Sequence, residues 1–188
     1  MTGLVVFHML CASLLTHTLL WRGWFVVPEV DWTFLGLYST FQGLAIVCSN
    51  TNLQYNSIGL YQMSKLAVIP VMVFVETVLG WREIPSLHIG ISLVVVMIGV
   101  GMATVHDITV TFIGLFWASA AVVSIASIQI LSGRQKQQNI SPLQLLHVST
   151  GPTAILLLLA TPYTDNLSAF YARGLTFYEL SLVIISGV

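Results

Sequence analysis

Residues 56–70 read NSIGLYQMSKLAVIP, and VMVFVETVL follows without a break, so Lys65 stands inside a stretch otherwise built to avoid water. A charged side chain at mid-helix costs about 2.5 to 3.5 kcal/mol on insertion scales, and it is retained where it faces a cavity, a partner or a ligand. Lys65 lies about eight residues into its run, too deep for its stem simply to carry the charge back to the interface. At helical spacing Tyr61 and Gln62 stand one turn before it and Ile58 a turn further back, with Val68 and Ile69 following. An aromatic ring, an amide and an ammonium on one stripe suit an anion attached to a ring or a sugar. Lys65 supplies charge, Gln62 hydrogen bonds, and Tyr61 a stacking face or a hydroxyl, so phosphate is the expected group. The alternative is a structural ion pair. Glu76 is the obvious acid on nearly the same face, but the helix rises about 16 Å between the two, beyond direct contact; a carboxylate from another helix would also serve. Pro70 is expected to kink the helix and free a carbonyl.

Working outward, 56% of the 188 residues are hydrophobic and 7% are charged, where a soluble domain carries about a quarter charged residues. The composition is that of an all-α membrane protein, a multi-span helical bundle. About 20 apolar residues cross the roughly 30 Å hydrocarbon core of a bilayer. Candidate spans run over about 2–20, 32–51, 57–79, 86–105, 110–131, 142–161 and 176 to the end. The last holds only about a dozen residues before Val188, too few to span, so a longer protein is expected. The first run has no basic flank before it and no A-x-A-like site after it, so it reads as a structural helix and not a cleaved signal. Loops are short except at 21–31, 132–141 and 162–175, leaving no room for a separate soluble domain. A net charge of −1 argues nothing for nucleic acid, which is not expected as a partner.

Orientation follows from the basic residues, because cytoplasmic loops carry an excess of lysine and arginine. The loops after the first, third and fifth spans hold Arg22, Arg82, Arg134 and Lys136, whereas those after the second, fourth and sixth hold only Arg173. The first set is therefore assigned to the cytoplasm. Met1 then begins on the far side, and a further helix before it is expected. RQKQQNIS reads as a solvated cytoplasmic connector. Asn166, in NLS on the opposite face, is a formal glycosylation acceptor, while Asn139, in NIS before a proline, sits on the wrong side.

Other polar groups fall within or beside the spans. SNTNLQYN at 49–56 is too polar for lipid exposure and reads as a short turn on the non-cytoplasmic side, from which Ser49 and Asn50 could reach inward. The competing role for both is interhelical bonding and turn formation. His8 and His147 read as satisfied interfacial histidines. Ser124, Ser127 and Gln129 form a polar strip on the fifth span, with the serines packing on a neighbour. The glycines of IGVGMA at 98–103 read as a close helix-packing site. Cys11 and Cys48 lie in apolar windows as buried thiols, with no disulfide framework and no zinc spacing. No HExxH, G-x-S-x-G or P-loop is present, so neither an enzyme nor a bound metal or cofactor is expected.

An internal repeat is visible. TGLVVFH at 2–8 and SPLQLLH at 141–147 both open an apolar span with a small hydroxyl residue, a leucine and a histidine in register, continued by Ala12 and Gly151. The spans so matched are the first and the sixth. An odd displacement places the copies in opposite orientations, as in inverted-repeat transporters.

NSIGLYQMSKLAVIP, together with MIGVGMATVHDITVTFIG at 97–114 and the LQLLH helix, resembles the triose-phosphate translocator and nucleotide-sugar transporter families of the drug/metabolite transporter superfamily, most closely the UDP-sugar group. Those proteins carry an N-S-V-G-F-Y-Q-x-x-K-L-x-x-x-P motif in their fourth helix, matched here by Asn56, Ser57, Gly59, Tyr61, Gln62, Lys65, Leu66 and Pro70. The resemblance implies helices two to eight of a ten-helix inverted-repeat fold. Residues 1–188 would form a single transporter domain incomplete at both ends, with 1–105 most of the first repeat and 110–188 part of the second. It also implies Lys65 on the substrate phosphate and Ser49 as a substrate-contacting hydroxyl, with basic residues of a ninth helix completing the anion site; Tyr61, Gln62 and Asn50, read from the stripe and the polar segment above, complete the candidate substrate site. The implied activity is exchange of a nucleotide sugar for nucleoside monophosphate across a Golgi membrane, with a homodimer as the assembly to test. A plastid-envelope exchanger of phosphorylated metabolites, an endoplasmic reticulum location and a truncated non-transporting paralogue are the alternatives.

Overall fold

The computed structural model describes residues 2–81, 83, 85–106, 111–137 and 140–164, without the side chains of 2, 103–106, 136–137 and 163–164. The described elements are all helices: α1 (Thr2–Trp21), α2 (Trp32–Tyr55), α3 (Ile58–Leu66), α4 (Val68–Val78), α5 (Leu87–His106), α6 (Phe112–Gln137) and α7 (Pro142–Thr164). Among the described residues, four stretches are long and apolar enough to cross a membrane: Gly3–Trp21, Ile58–Val78, Phe112–Gln135 and Pro142–Pro162. The chain is an all-α membrane protein. The expected span from 176 onward, Asn139, Asn166, Arg82 and Arg173 lie outside the described residues.

Three boundaries differ from expectation. SNTNLQY is helical, because α2 continues to Tyr55 and only Asn56 and Ser57 make the turn. Within it, Thr51 Oγ1 donates back to the Val47 carbonyl at 2.8 Å. RQKQ is likewise helical, since α6 runs to Gln137, so the connector is shorter than its composition implied. The third span is two helices meeting at Ala67. Pro70 has no N–H to offer the carbonyl of Leu66, and the helix breaks beside that carbonyl. Ala67 keeps helical dihedrals, φ −67° and ψ −15°, and donates to the Ser64 carbonyl at 3.2 Å, so the break is a tightened turn.

α1 and α4 end alike. Gly23 (φ 75°) and Gly80 (φ 67°) adopt the left-handed conformation that a glycine takes without penalty. The N–H of Trp24 reaches the Leu19 carbonyl at 3.1 Å and that of Trp81 reaches the Glu76 carbonyl at 2.9 Å, closing the same terminal motif twice. Each glycine is thus followed by a tryptophan suited to a membrane interface.

The chain forms two compact units, Met1–Gly43 with Arg134–Val188, and Leu44–Gly133. In the first, α1 and α7 lie against one another. His147 Nδ1 is 3.2 Å from Thr16 Oγ1, and Gln144 Nε2 donates to the Val26 carbonyl at 2.9 Å, so stepping back along α7 means stepping forward from α1: the pair is antiparallel. Thr16 already donates its hydroxyl proton to the Ser13 carbonyl at 3.0 Å, which leaves His147 as the donor to it. Rings of His17 and Phe25 stand 5.6 and 5.5 Å from that of His147, in keeping with a satisfied histidine. α7 starts on a reciprocal cap, Ser141 N–H to Gln144 Oε1 at 2.8 Å and Gln144 N–H to Ser141 Oγ at 3.3 Å, with Pro142 in the first helical position. Thr153 donates to Gln42 Oε1 at 3.0 Å, and Thr150 and Thr153 are fully buried with Leu157. The packing of this unit therefore relies on small hydroxyl residues.

In the second unit Val68 of α4 packs on Val122 and Ala126 of α6, flanked by Val71, Met72 and Ile125, while α5 lies beside α3 and α4. The serines of the fifth-span strip bond back to their own helix, Ser124 to the Ala120 carbonyl and Ser127 to that of Val123, each at 2.8 Å. Gly99 and Gly101, expected at a tight helix contact, have open space where a Cβ would stand among the described residues. The close approach occurs at Gly114 instead. Cys48 is buried, Cys11 half-buried, and both are free thiols.

Candidate anion site

The site begins with a cap. Ser57 is extended (φ −64°, ψ 155°), and its Oγ accepts from the Leu60 N–H at 3.1 Å, starting α3. Leu60 and Ser64 form the buried side of this nine-residue helix. Gln62 and Lys65 are exposed and Tyr61 is half-buried. Lys65 Nζ lies 4.3 Å from the centroid of the Tyr61 ring, so the side chain folds back over the preceding turn and the aromatic face holds the cation. Glu76 lies past the break, on α4.

Of the five residues expected at the site, Lys65, Tyr61 and Gln62 share α3. Ser49 and Asn50 stand half-buried on α2 within the same unit. No hydrogen bond among the described residues joins either of them to the α3 trio, and Asn50 Nδ2 is buried with no hydrogen-bond partner there.

The bonding role that sequence reasoning offered to Ser49 and Asn50 falls to their neighbours. Asn52, 1% exposed, donates from Nδ2 to Ser64 Oγ at 3.2 Å, and Ser64 donates to the Tyr61 carbonyl at 2.8 Å. Asn56 Nδ2 donates to Asn52 Oδ1 at 2.5 Å and to the Gly114 carbonyl of α6 at 2.8 Å. A Cβ at position 114 would overlap the Asn56 amide, so only glycine admits this contact. The signal was present in the sequence: Asn52 and Asn56 are one helical turn apart and so share a face.

An ammonium held on a ring, accessible, on a membrane-spanning stretch, offers a point charge and up to three donors to phosphate oxygens, and Gln62 adds an amide on the exposed side. Among the described residues no group of acids, histidines or cysteines could hold a metal.

Comparison with known proteins adds an independent line. The chain is 35% identical over 167 residues to UDP-xylose transporter 2 of Arabidopsis thaliana, covering 88% of this chain and 47% of that protein. It is 34% identical over 167 residues to UDP-rhamnose/UDP-galactose transporter 3 of the same plant, again 88% and 47%. With UDP-rhamnose/UDP-galactose transporter 2 the identity is 37% over 129 residues, 68% of this chain and 37% of the relative. The chain thus spans about half the length of the curated relatives it matches most fully. No family model matches, and no solved structure matches.

Proposed function

Because this chain belongs to the nucleotide-sugar transporter family, we propose that it works as a secondary antiporter, exchanging a UDP-sugar for a nucleoside monophosphate across a Golgi membrane. The observation that carries this reading is the accessible Lys65 ammonium on the Tyr61 ring, on an otherwise apolar membrane helix. It would take the diphosphate, with Gln62, Ser49 and Asn50 toward the sugar or the base. The antiparallel packing of α1 and α7 supports an inverted repeat within a ten-helix fold. Bound anion would neutralise Lys65, making closure of the cavity less costly, and alternating access would follow as the repeats rock about the site.

Proteoliposomes of the intact protein, preloaded with uridine monophosphate and offered labelled UDP-xylose or UDP-galactose, test the proposal. Exchange is expected for the wild type. It is lost in Lys65→Ala, with membrane insertion unchanged. Full exchange by that variant overturns the site. Uptake of phosphorylated metabolites alone would favour a plastid exchanger, and no uptake at all a non-transporting paralogue.

A further inference from the structure

The geometry points to the amide chain Asn56–Asn52–Ser64 as a positioning device that sets the rotation of α3 and thereby aims Lys65. This rests on Lys65 being the anion site proposed above. α3 is nine residues long and interrupted at Ala67, too short to be rigid on its own account and not locked to a continuous helix below it. Apolar contact at Leu60 would tolerate small slips about the helix axis. Directional bonds do not.

Ser64 is the residue next to Lys65, and its hydroxyl is fixed on both sides, accepting from Asn52 at 3.2 Å and donating to the Tyr61 carbonyl at 2.8 Å. Asn52 is in turn held by Asn56, which is anchored on α6 through the Gly114 carbonyl. Asn52 is 1% exposed and Asn56 and Ser64 are each 9% exposed. Turning α3 away from this setting would orphan the Asn52 Nδ2 donor in a low-dielectric interior, where an unmatched polar group is costly. A buried asparagine fixing the register of packed helices is the best-attested use of such groups. Here the register carries a consequence: the same turn of helix that holds Ser64 presents Tyr61 and Lys65. None of the three amide-chain residues needs to touch substrate.

Equilibrium binding of UDP-xylose and UDP-galactose to the purified intact protein, in a double-mutant cycle, tests this. Asn52→Leu is expected to weaken binding on the order of tenfold, within the range of coupled buried networks, and Lys65→Gln to weaken it also. In the double variant Asn52→Leu should add no further loss, because it acts through the lysine. Ser64→Thr, which keeps the hydroxyl, should bind as wild type, and Ser64→Ala should follow Asn52→Leu. Wild-type affinity in both Asn52→Leu and Ser64→Ala overturns the inference, as does an equal loss from Asn52→Leu with and without Lys65. If Asn52→Leu fails to fold, or Lys65→Gln binds too weakly to close the cycle, the Ser64 pair decides alone. Wild-type affinity in Lys65→Gln overturns the anion-site reading instead, a separate result.

Discussion

The ammonium of Lys65 rests 4.3 Å above the ring of Tyr61, one helical turn back on the same helix. A cation in that position gains about 0.5–1 kcal/mol at an exposed site and about 2 kcal/mol when desolvated. The ring also narrows the volume the lysine explores before a substrate arrives. Tyr61→Phe preserves the face and should leave KM for nucleotide sugar within about twofold of wild type, whereas Tyr61→Leu should raise it by roughly 2- to 30-fold. Initial exchange rates over a concentration series check this, and equal KM values for the two variants would contradict it.

Gly114 should tolerate no side chain. A methyl group there meets the Asn56 amide, and Gly114→Ala is expected to destabilise by about 1–3 kcal/mol, the usual range for overpacking. Thermal melting in detergent measures it. Combining it with Asn56→Ala removes the obstruction as well as the bonds, so the double variant should be less destabilised than the two single losses added together.

Pro70→Ala returns an N–H to the Leu66 carbonyl and should fuse α3 and α4 into one helix. Stability should hold or rise while the exchange rate falls, because the turn at Ala67 is where α3 and α4 can move apart. Melting and transport measured on the same preparation separate the two effects. An unchanged exchange rate would remove the break from the mechanism.

Thr153→Val should cost about 0.6 kcal/mol, the mean for hydrogen bonds between membrane helices, through loss of the 3.0 Å bond to Gln42. Because Gln42 and Thr153 belong to the first unit and Lys65 to the second, UDP-sugar affinity should not change. A large loss of affinity would place this bond in the binding machinery.

How much was readable beforehand depends on which force decided each feature. Among the described residues, the helical stretches Gly3–Trp21, Ile58–Val78, Phe112–Gln135 and Pro142–Pro162 follow from long apolar runs, and the Lys65 stripe follows from spacing on a single helix. The end of α2 was misread because SNTNLQY has turn composition, and tertiary partners, as Ser64 and Asn56 are for Asn52, override that preference. Pro70 told of a break, but its position at Ala67 is set by the carbonyl four residues back. The roles of Asn52 and Ser64 depend on a contact across twelve residues of chain, and that of Gly114 on one across 58; spacing along one helix reports neither. The glycines at 99 and 101 show the converse, a familiar packing signature left open among the described residues.

The compact unit built on α1 and α7 is discontinuous in the chain, and this sets an order in time. Thr16 and its partner His147 are 131 residues apart. At a translation speed of about 5–20 residues per second, α1 waits roughly 7 to 26 s for the helix that covers its polar groups. Residues 44–133, one uninterrupted segment, can close during that interval. Until α7 emerges, Thr16 and His17 face whatever the insertion machinery offers, so α1 is the segment whose early fate most needs a chaperoned environment.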